Sequence, residues 1–279
     1  MDTNLIELVE PIRRAKGDFL YTYGGRRLVD LWKQGGRAIL GHGSSHQLTR
    51  LKDTLARGVW MPAPHPGTHH LERALQKLFP GKEIRIYRGL NRALGHLGRI
   101  LDRPVHWEDI PDPASPWNTR DDEPRTNPVA LWRPWAAVPT EADLLIPVLP
   151  VAWPEEVAVV LFSKTAGRQA PPSELISPVF AEYAQRAVHD LLLALQEQAL
   201  PRLPRTQKVL GSSIWKGQGL YWYLDPDTGG DTVAGLFQRF LAEGFLMPPV
   251  ATDPLILPFD LSPGLDAKLG CLLSFTPEA

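Results

Sequence analysis

Five of the eight histidines, His42, His46, His65, His69 and His70, fall within 29 residues, and neutral imidazole is a common ligand for zinc or nickel. His42 and His46 have the i, i+4 spacing of a helical metal pair. However, His42 precedes the residue expected to cap the next helix, and no cysteine lies near. The cluster reads as loop and cap histidines, and no metal is expected. Gly41-His42-Gly43-Ser44-Ser45 and Gly211-Ser212-Ser213 set hydroxyls beside glycine. Neither is the Gly-x-Ser-x-Gly elbow that lifts a nucleophilic serine above a sheet, so a Ser-His-Asp hydrolase has no support. Trp215, Tyr221, Trp222 and Tyr223 could line a pocket, but aromatics alternating in a strand ordinarily pack on both faces.

The elements that must position such groups follow from periodicity and punctuation. Leu5, Leu8, Val9 and Ile12 suggest an opening helix, kinked near Pro11. Phe19 to Asp30 predicts two short strands about the Gly24-Gly25 turn. Ser44 or Ser45 can cap a helix with Leu48, Leu51 and Leu55 inward, ended by Gly58, and Thr68 can cap another with Leu71, Leu75 and Leu78 inward. Ile84 and Ile86 then alternate in a strand, followed by a helical stripe of Leu90, Leu94, Leu97 and Leu101. Leu144 to Val151 and Val157 to Phe162 read as buried parallel strands. Ser177-Pro178 opens a long helix to about residue 199, and further helices start at Asp231 and at Ser262-Pro263.

A length of 279 residues fits one large domain or two small ones at about 150 each. Hydrophobic residues at 43% and charged residues at 22% exclude a disordered, collagenous or coiled-coil chain. A net charge of -1 gives no reason to expect nucleic acid or a membrane as partner. The lone Cys271 makes no internal disulfide and fits a reducing compartment, and no apolar run approaches the roughly 20 residues of a membrane span. A soluble, cytoplasmic protein is expected. Eleven of the 28 prolines and five of the nine tryptophans crowd into residues 104–154. Proline fixes φ and removes a donor, so this stretch should be irregular and pinned by its indoles.

The segment from Gly17 to Gly58 resembles the N-terminal part of the class III aminotransferases, pyridoxal phosphate enzymes of fold type I. Gly17, Tyr21, Gly25, Arg27, Leu28, Asp30, Gly36, Leu40, Gly41 and His42 fill the family's glycine, strand and Leu-Gly-His positions. Weaker similarity runs through Leu71 to Gly81, and Lys216-Gly217-Gln218-Gly219-Leu220 is similar to a family strand entry near the C-terminus. The resemblance implies an α/β fold: a reduced fold type I architecture with a shrunken central sheet and a small α+β C-terminal domain. It divides the chain into an N-terminal segment (1–80), a reduced large-domain region (81–200) carrying the Pro/Trp-rich insert, and a small domain (201–279).

A transaminase needs a Schiff-base lysine, a carboxylate that keeps the pyridinium protonated, and a phosphate nest at a helix N-terminus. By resemblance, Lys164 in Ser163-Lys164-Thr165 is the candidate lysine, and Arg88, Gly89 and Arg92 are the candidate cofactor contacts, with guanidinium charge replacing the family's hydroxyls. The family's Asp-Glu-Val-Gln strand has no counterpart, and Asp143 adjoins its strand at the wrong end. Two readings follow. One is a diverged, homodimeric binding or accessory protein without efficient transaminase activity. The other is a small active enzyme using pyridoxal phosphate on Lys164 with an amine or amino acid substrate. They differ in whether Lys164, Gly89 and an acid meet in one pocket; a third reading has the Pro/Trp-rich segment replace the lost sheet and build a new pocket with unrelated chemistry.

Overall fold

The computed structural model describes residues 4–119, 128–136, 142–197, 201–210 and 214–274. In chain order its elements are β1 (Ile12–Lys16), β2 (Phe19–Thr22), β3 (Arg27–Asp30), α1 (Ser45–Ala56), α2 (Pro66–Leu78), β4 (Glu83–Tyr87), α3 (Leu90–Ile100), β5 (Val129–Trp132), β6 (Leu144–Pro147) and β7 (Ala158–Phe162). They continue with α4 (Lys164–Gly167), α5 (Pro178–Gln196), α6 (Pro204–Val209), β8 (Trp215–Gln218), β9 (Tyr221–Leu224), α7 (Gly230–Ala242), β10 (Phe245–Leu246), β11 (Leu255–Ile256) and α8 (Pro263–Leu273). Two compact units result. Unit 1 holds residues 1–43, 114–119 and 198–279, and unit 2 holds 44–113 and 120–197. The division falls at 43/44 instead of the expected 80, so α1 and α2 belong with the central sheet. Among the described residues, no helix is long and apolar enough to cross a membrane.

In unit 1 the expected opening helix shrinks to one 3-10 turn, Leu5–Leu8. Pro11 lacks the N–H a helix needs, and the chain enters β1 instead. The Gly24-Gly25 hairpin forms as read, with Leu20 opposite Leu28 and Gly25 at φ +83°. β10 adds to β3 in parallel, completing the order β1-β2-β3-β10. A second sheet runs β11-β9-β8. Trp215, Phe237, Phe240, Phe245 and Leu269 fill the core between them and helices α7 and α8. Gly41 sits at φ +85°, and a Cβ there would stand 3.0 Å from the Gly17 Cα, because Gly17 and His42 exchange backbone hydrogen bonds. The His42 ring is 2.7 Å from the Asp30 carboxylate, which also accepts the N–H groups of Trp32 and Lys33. That accounts for His42 structurally. Among the described residues, no three His, Cys, Asp or Glu side chains are grouped to hold a metal.

One long-range contact fixes the end of unit 1. Leu203, at the N-cap of α6, offers no side-chain acceptor. The buried Asp266 of α8 supplies it, accepting the N–H groups of Arg205 and Thr206 at 3.0 Å each. Burial pushes the Asp266 carboxyl up, but those backbone donors outweigh it and hold the group below its ordinary range. Gly211-Ser212-Ser213 lies outside the described residues.

Unit 2 is built on the sheet β4-β7-β6-β5, whose three strands β5, β6 and β7 are buried along their whole length. β6 is parallel to β5 as expected, but β7 is antiparallel to both β6 and β4, which corrects the parallel expectation for that strand. The connection over 148–157 is too short for the crossover of a dozen or more residues that parallel neighbours require. The Pro/Trp-rich insert is only partly irregular, because it contributes β5 and β6 to this sheet. Its indoles do anchor it. Trp132 packs edge-on against Phe79, and Trp153 against Phe180 and Tyr183.

Helices α1 and α2 pack on α5, while α3 packs on β4 and β7. His65, not Thr68, caps α2, its Nδ1 accepting the Gly67 N–H at 3.0 Å. In α1 the buried side chains are Gln47 and Thr54, so Leu48 and Leu55, expected inward, are exposed.

Candidate functional site

The strand β4 ends at Tyr87, and the chain turns through Arg88 and Gly89 into α3. That turn has Gly89 at φ +87° and ψ 158°, a conformation essentially confined to glycine. The site around it is crowded with backbone. A Cβ on Gly89 would meet the Glu155 carbonyl oxygen, and the Leu90 N–H already donates to the Pro154 carbonyl at 2.8 Å.

The helix start also has an anion of its own. Glu174, in the segment leading to α5, accepts the Arg88 N–H at 2.8 Å through Oε2. Its Oε1 takes Arg92 Nε at 2.9 Å and Nη2 at 2.8 Å, with His96 Nε2 at 3.4 Å. Burial would raise the Glu174 carboxyl; the Arg88 N–H, Arg92 and His96 outweigh it and hold the group below the usual range. The His96 ring lies on that of Tyr87, centroids 4.6 Å apart, with its buried Nδ1 unpartnered. Burial lifts the Tyr87 hydroxyl to about 12, and it donates to the Pro171 carbonyl at 3.1 Å. The same segment covers the outer edge of β4. Ile86 donates its N–H to Ser173 Oγ, and Glu174 donates its N–H to the Ile86 carbonyl.

The sequence-predicted residues do not converge. Arg88, Gly89 and Arg92 gather at this turn, but Lys164 does not. In the β4–β7 ladder Tyr87 faces Ala158 and Glu83 faces Phe162. Lys164, two residues past Phe162, therefore stands at the opposite end of the sheet, roughly 20 Å away at about 3.4 Å per residue. There it is an exposed residue of the one-turn helix α4. Asp143 belongs to that far end too, its carbonyl accepting the Ser163 N–H. Neither 88–98 nor 147–158 contains a lysine. The one buried lysine among the described residues, Lys33, pairs with Asp18 in unit 1.

Glu174, His96 and Tyr87 carried no signal in the sequence, since Glu174 lies in Pro171-Pro172-Ser173-Glu174 and meets Arg92 only through the fold. A groove of about 770 Å³ flanks α3, lined by Asn91, Gly95, Arg99, Asp102, His106 and Trp107 among others.

A pyridoxal phosphate held at Arg88, Gly89 and Arg92 would need a lysine within reach and donors left for its phosphate. Lys164 is out of reach of this turn, and the Arg88 N–H, the Arg92 guanidinium and the Leu90 N–H are already engaged by Glu174 and Pro154. The residues present do not fit that cofactor there, and no chemistry is derived through it.

No family model matches the chain. A protein of Treponema pallidum (strain Nichols), described only as uncharacterized, is 27% identical over 292 residues, covering 88% of each chain. Among solved structures, the ornithine delta-aminotransferase of Plasmodium falciparum superposes with a TM-score of 0.71 at 14% identity, over 95% of this chain and 94% of that one. The acetylornithine aminotransferase of Elizabethkingia anophelis gives 0.66 at 12% identity over 98% of both chains. An omega-transaminase of Sphaerobacter thermophilus gives 0.63 at 12% identity, over 94% of this chain and 89% of that one. The chain has the fold of the pyridoxal phosphate-dependent aminotransferases.

Proposed function

We propose that this chain is a diverged aminotransferase-like protein without efficient transaminase activity, acting in the cytoplasm as a dimeric binding or accessory protein. The observation that carries the reading is the separation of Lys164 from Arg88, Gly89 and Arg92 by the length of the β4–β7 ladder. Schiff-base catalysis needs the lysine and the phosphate nest on one cofactor. The open groove along α3 offers a polar, aromatic-edged surface for a small ligand.

The test is the visible absorption spectrum of the purified protein with added pyridoxal phosphate, beside Lys164→Ala. No Schiff-base band is expected in either. A yellow band in the natural protein that disappears in Lys164→Ala would overturn the reading and return the chain to the enzymes.

For the dimer, support comes from the apolar side of α1 and the loop after it. Leu48 and Leu55 are 43% exposed, Trp60 is 63% exposed and Met61 71% exposed. Large apolar groups grouped in this way mark association surfaces. Light scattering after gel filtration should give twice the 31.1 kDa chain mass, and Leu55→Asp with Trp60→Ala should give one chain mass. A monomer from the natural sequence would sink the dimer.

A further inference from the structure

We propose that Glu174 is a resident anion that holds the place of a phosphate at the N-terminus of α3, closing this turn to phosphate-bearing ligands for as long as the carboxylate is there. The inference deepens the reading above and rests on it, because it names the side chain that closes the site.

A phosphate at a helix start is held by backbone N–H groups, by the positive end of the helix dipole and by guanidinium donors. Donors of two of these kinds, a backbone N–H beside the helix start and a guanidinium, are turned toward one carboxylate here. The Arg88 N–H and Arg92 Nε and Nη2 donate to Glu174, with His96 Nε2 behind them. Chelation by Oε1 and Oε2 from different directions reproduces in one side chain what the separate oxygens of a phosphate would do.

The neighbouring backbone completes the closure. Leu90 has given its N–H to Pro154, and the Glu155 carbonyl oxygen fills the space beside Gly89. A second anion entering here would face the Glu174 charge and that carbonyl dipole at short range, with repulsion from both. The segment carrying Glu174 is tied to β4 by Ser173 Oγ, by the Glu174 N–H and by the Tyr87 hydroxyl on Pro171. The carboxylate is thus delivered by a docked strand edge and not by a chance rotamer.

The experiment is calorimetric titration of inorganic phosphate into the full chain, natural and Glu174→Ala. The natural protein should show no saturable heat into the tens of millimolar. Glu174→Ala should bind at least about tenfold more tightly, the worth of one charge-assisted contact set, and Glu174→Ala with Arg92→Ala should lose that binding again. Where Glu174→Ala fails to fold by circular dichroism, Glu174→Gln keeps the segment docked without the charge and should bind phosphate more tightly than the natural protein. A folded Glu174 variant with no gain overturns the inference, as does Arg92-dependent phosphate binding by the natural protein. Failure of the earlier reading looks different, since it appears as a cofactor band in the natural protein.

Discussion

Gly89→Ala is expected to lower the stability of unit 2 by about 4 kcal/mol, from about 1–3 kcal/mol of backbone strain and a comparable cost of overpacking. Gly89 combines φ +87° with ψ 158°, and its missing side chain is replaced by the Glu155 backbone, whose carbonyl carbon a Cβ would approach to 2.9 Å. The backbone at 154–155 cannot withdraw cheaply, because Pro154 accepts the Leu90 N–H. Gly95 is the internal comparison. It lies within α3 with open space where its Cβ would be, so Gly95→Ala should hold or raise stability by up to about 1 kcal/mol through helix propensity. Urea unfolding followed by far-UV circular dichroism checks both. A Gly89→Ala midpoint equal to that of the natural protein would contradict the conformation described for this turn.

Asp266→Ala is the second large effect, expected at about 3 kcal/mol. It strips the carboxylate that accepts the Arg205 and Thr206 N–H groups, and the buried Thr206 donor left unpaired costs about 1–3 kcal/mol, with a smaller cost at the exposed Arg205. Asp266→Asn keeps one acceptor oxygen and should cost less than half as much. The pH dependence has a definite sign. The folded-state carboxyl titrates below its unfolded value, so its contribution is fully present above about pH 4 and fades as pH falls through the folded-state value. Asp266→Asn should be flatter than the natural protein across that acid window. Equal slopes would assign the acid sensitivity to other carboxyls, Glu174 among them.

What could be read from the sequence was local. The hairpin around Gly25, the helix opened by Ser177-Pro178 and the stop at Gly244 follow from residues within a few positions of each other, and each formed. Strand direction has no such signature. Val157 to Phe162 looks the same in either sense, and that sense alone decided which end of the sheet Lys164 occupies. Leu48 and Leu55 obeyed the helical period of α1, but the period does not say which face meets α5; Gln47 does, through Asp190. Glu174 was illegible for a third reason. Its partners Arg88 and Arg92 lie more than 80 residues earlier, brought near only when the segment before α5 folds back along β4.

The make-up of unit 1 has a consequence for the order of assembly during synthesis. β3 pairs with β10, Val29 beside Phe245, so a strand made early must wait for one made near the end of this sequence. Unit 2 has no such debt: all of its residues precede 198. On the ribosome its sheet can close while β1, β2 and β3 are still a three-stranded ribbon without the α7 and α8 side chains that cover its apolar face, and a sheet that small needs a packed face to be stable. Closing a loop across the whole of unit 2 costs more entropy the longer the loop behaves as free chain. Prior folding of unit 2 takes residues 44–113 and 120–197 out of the free chain, so less of it remains to be ordered when β10 pairs.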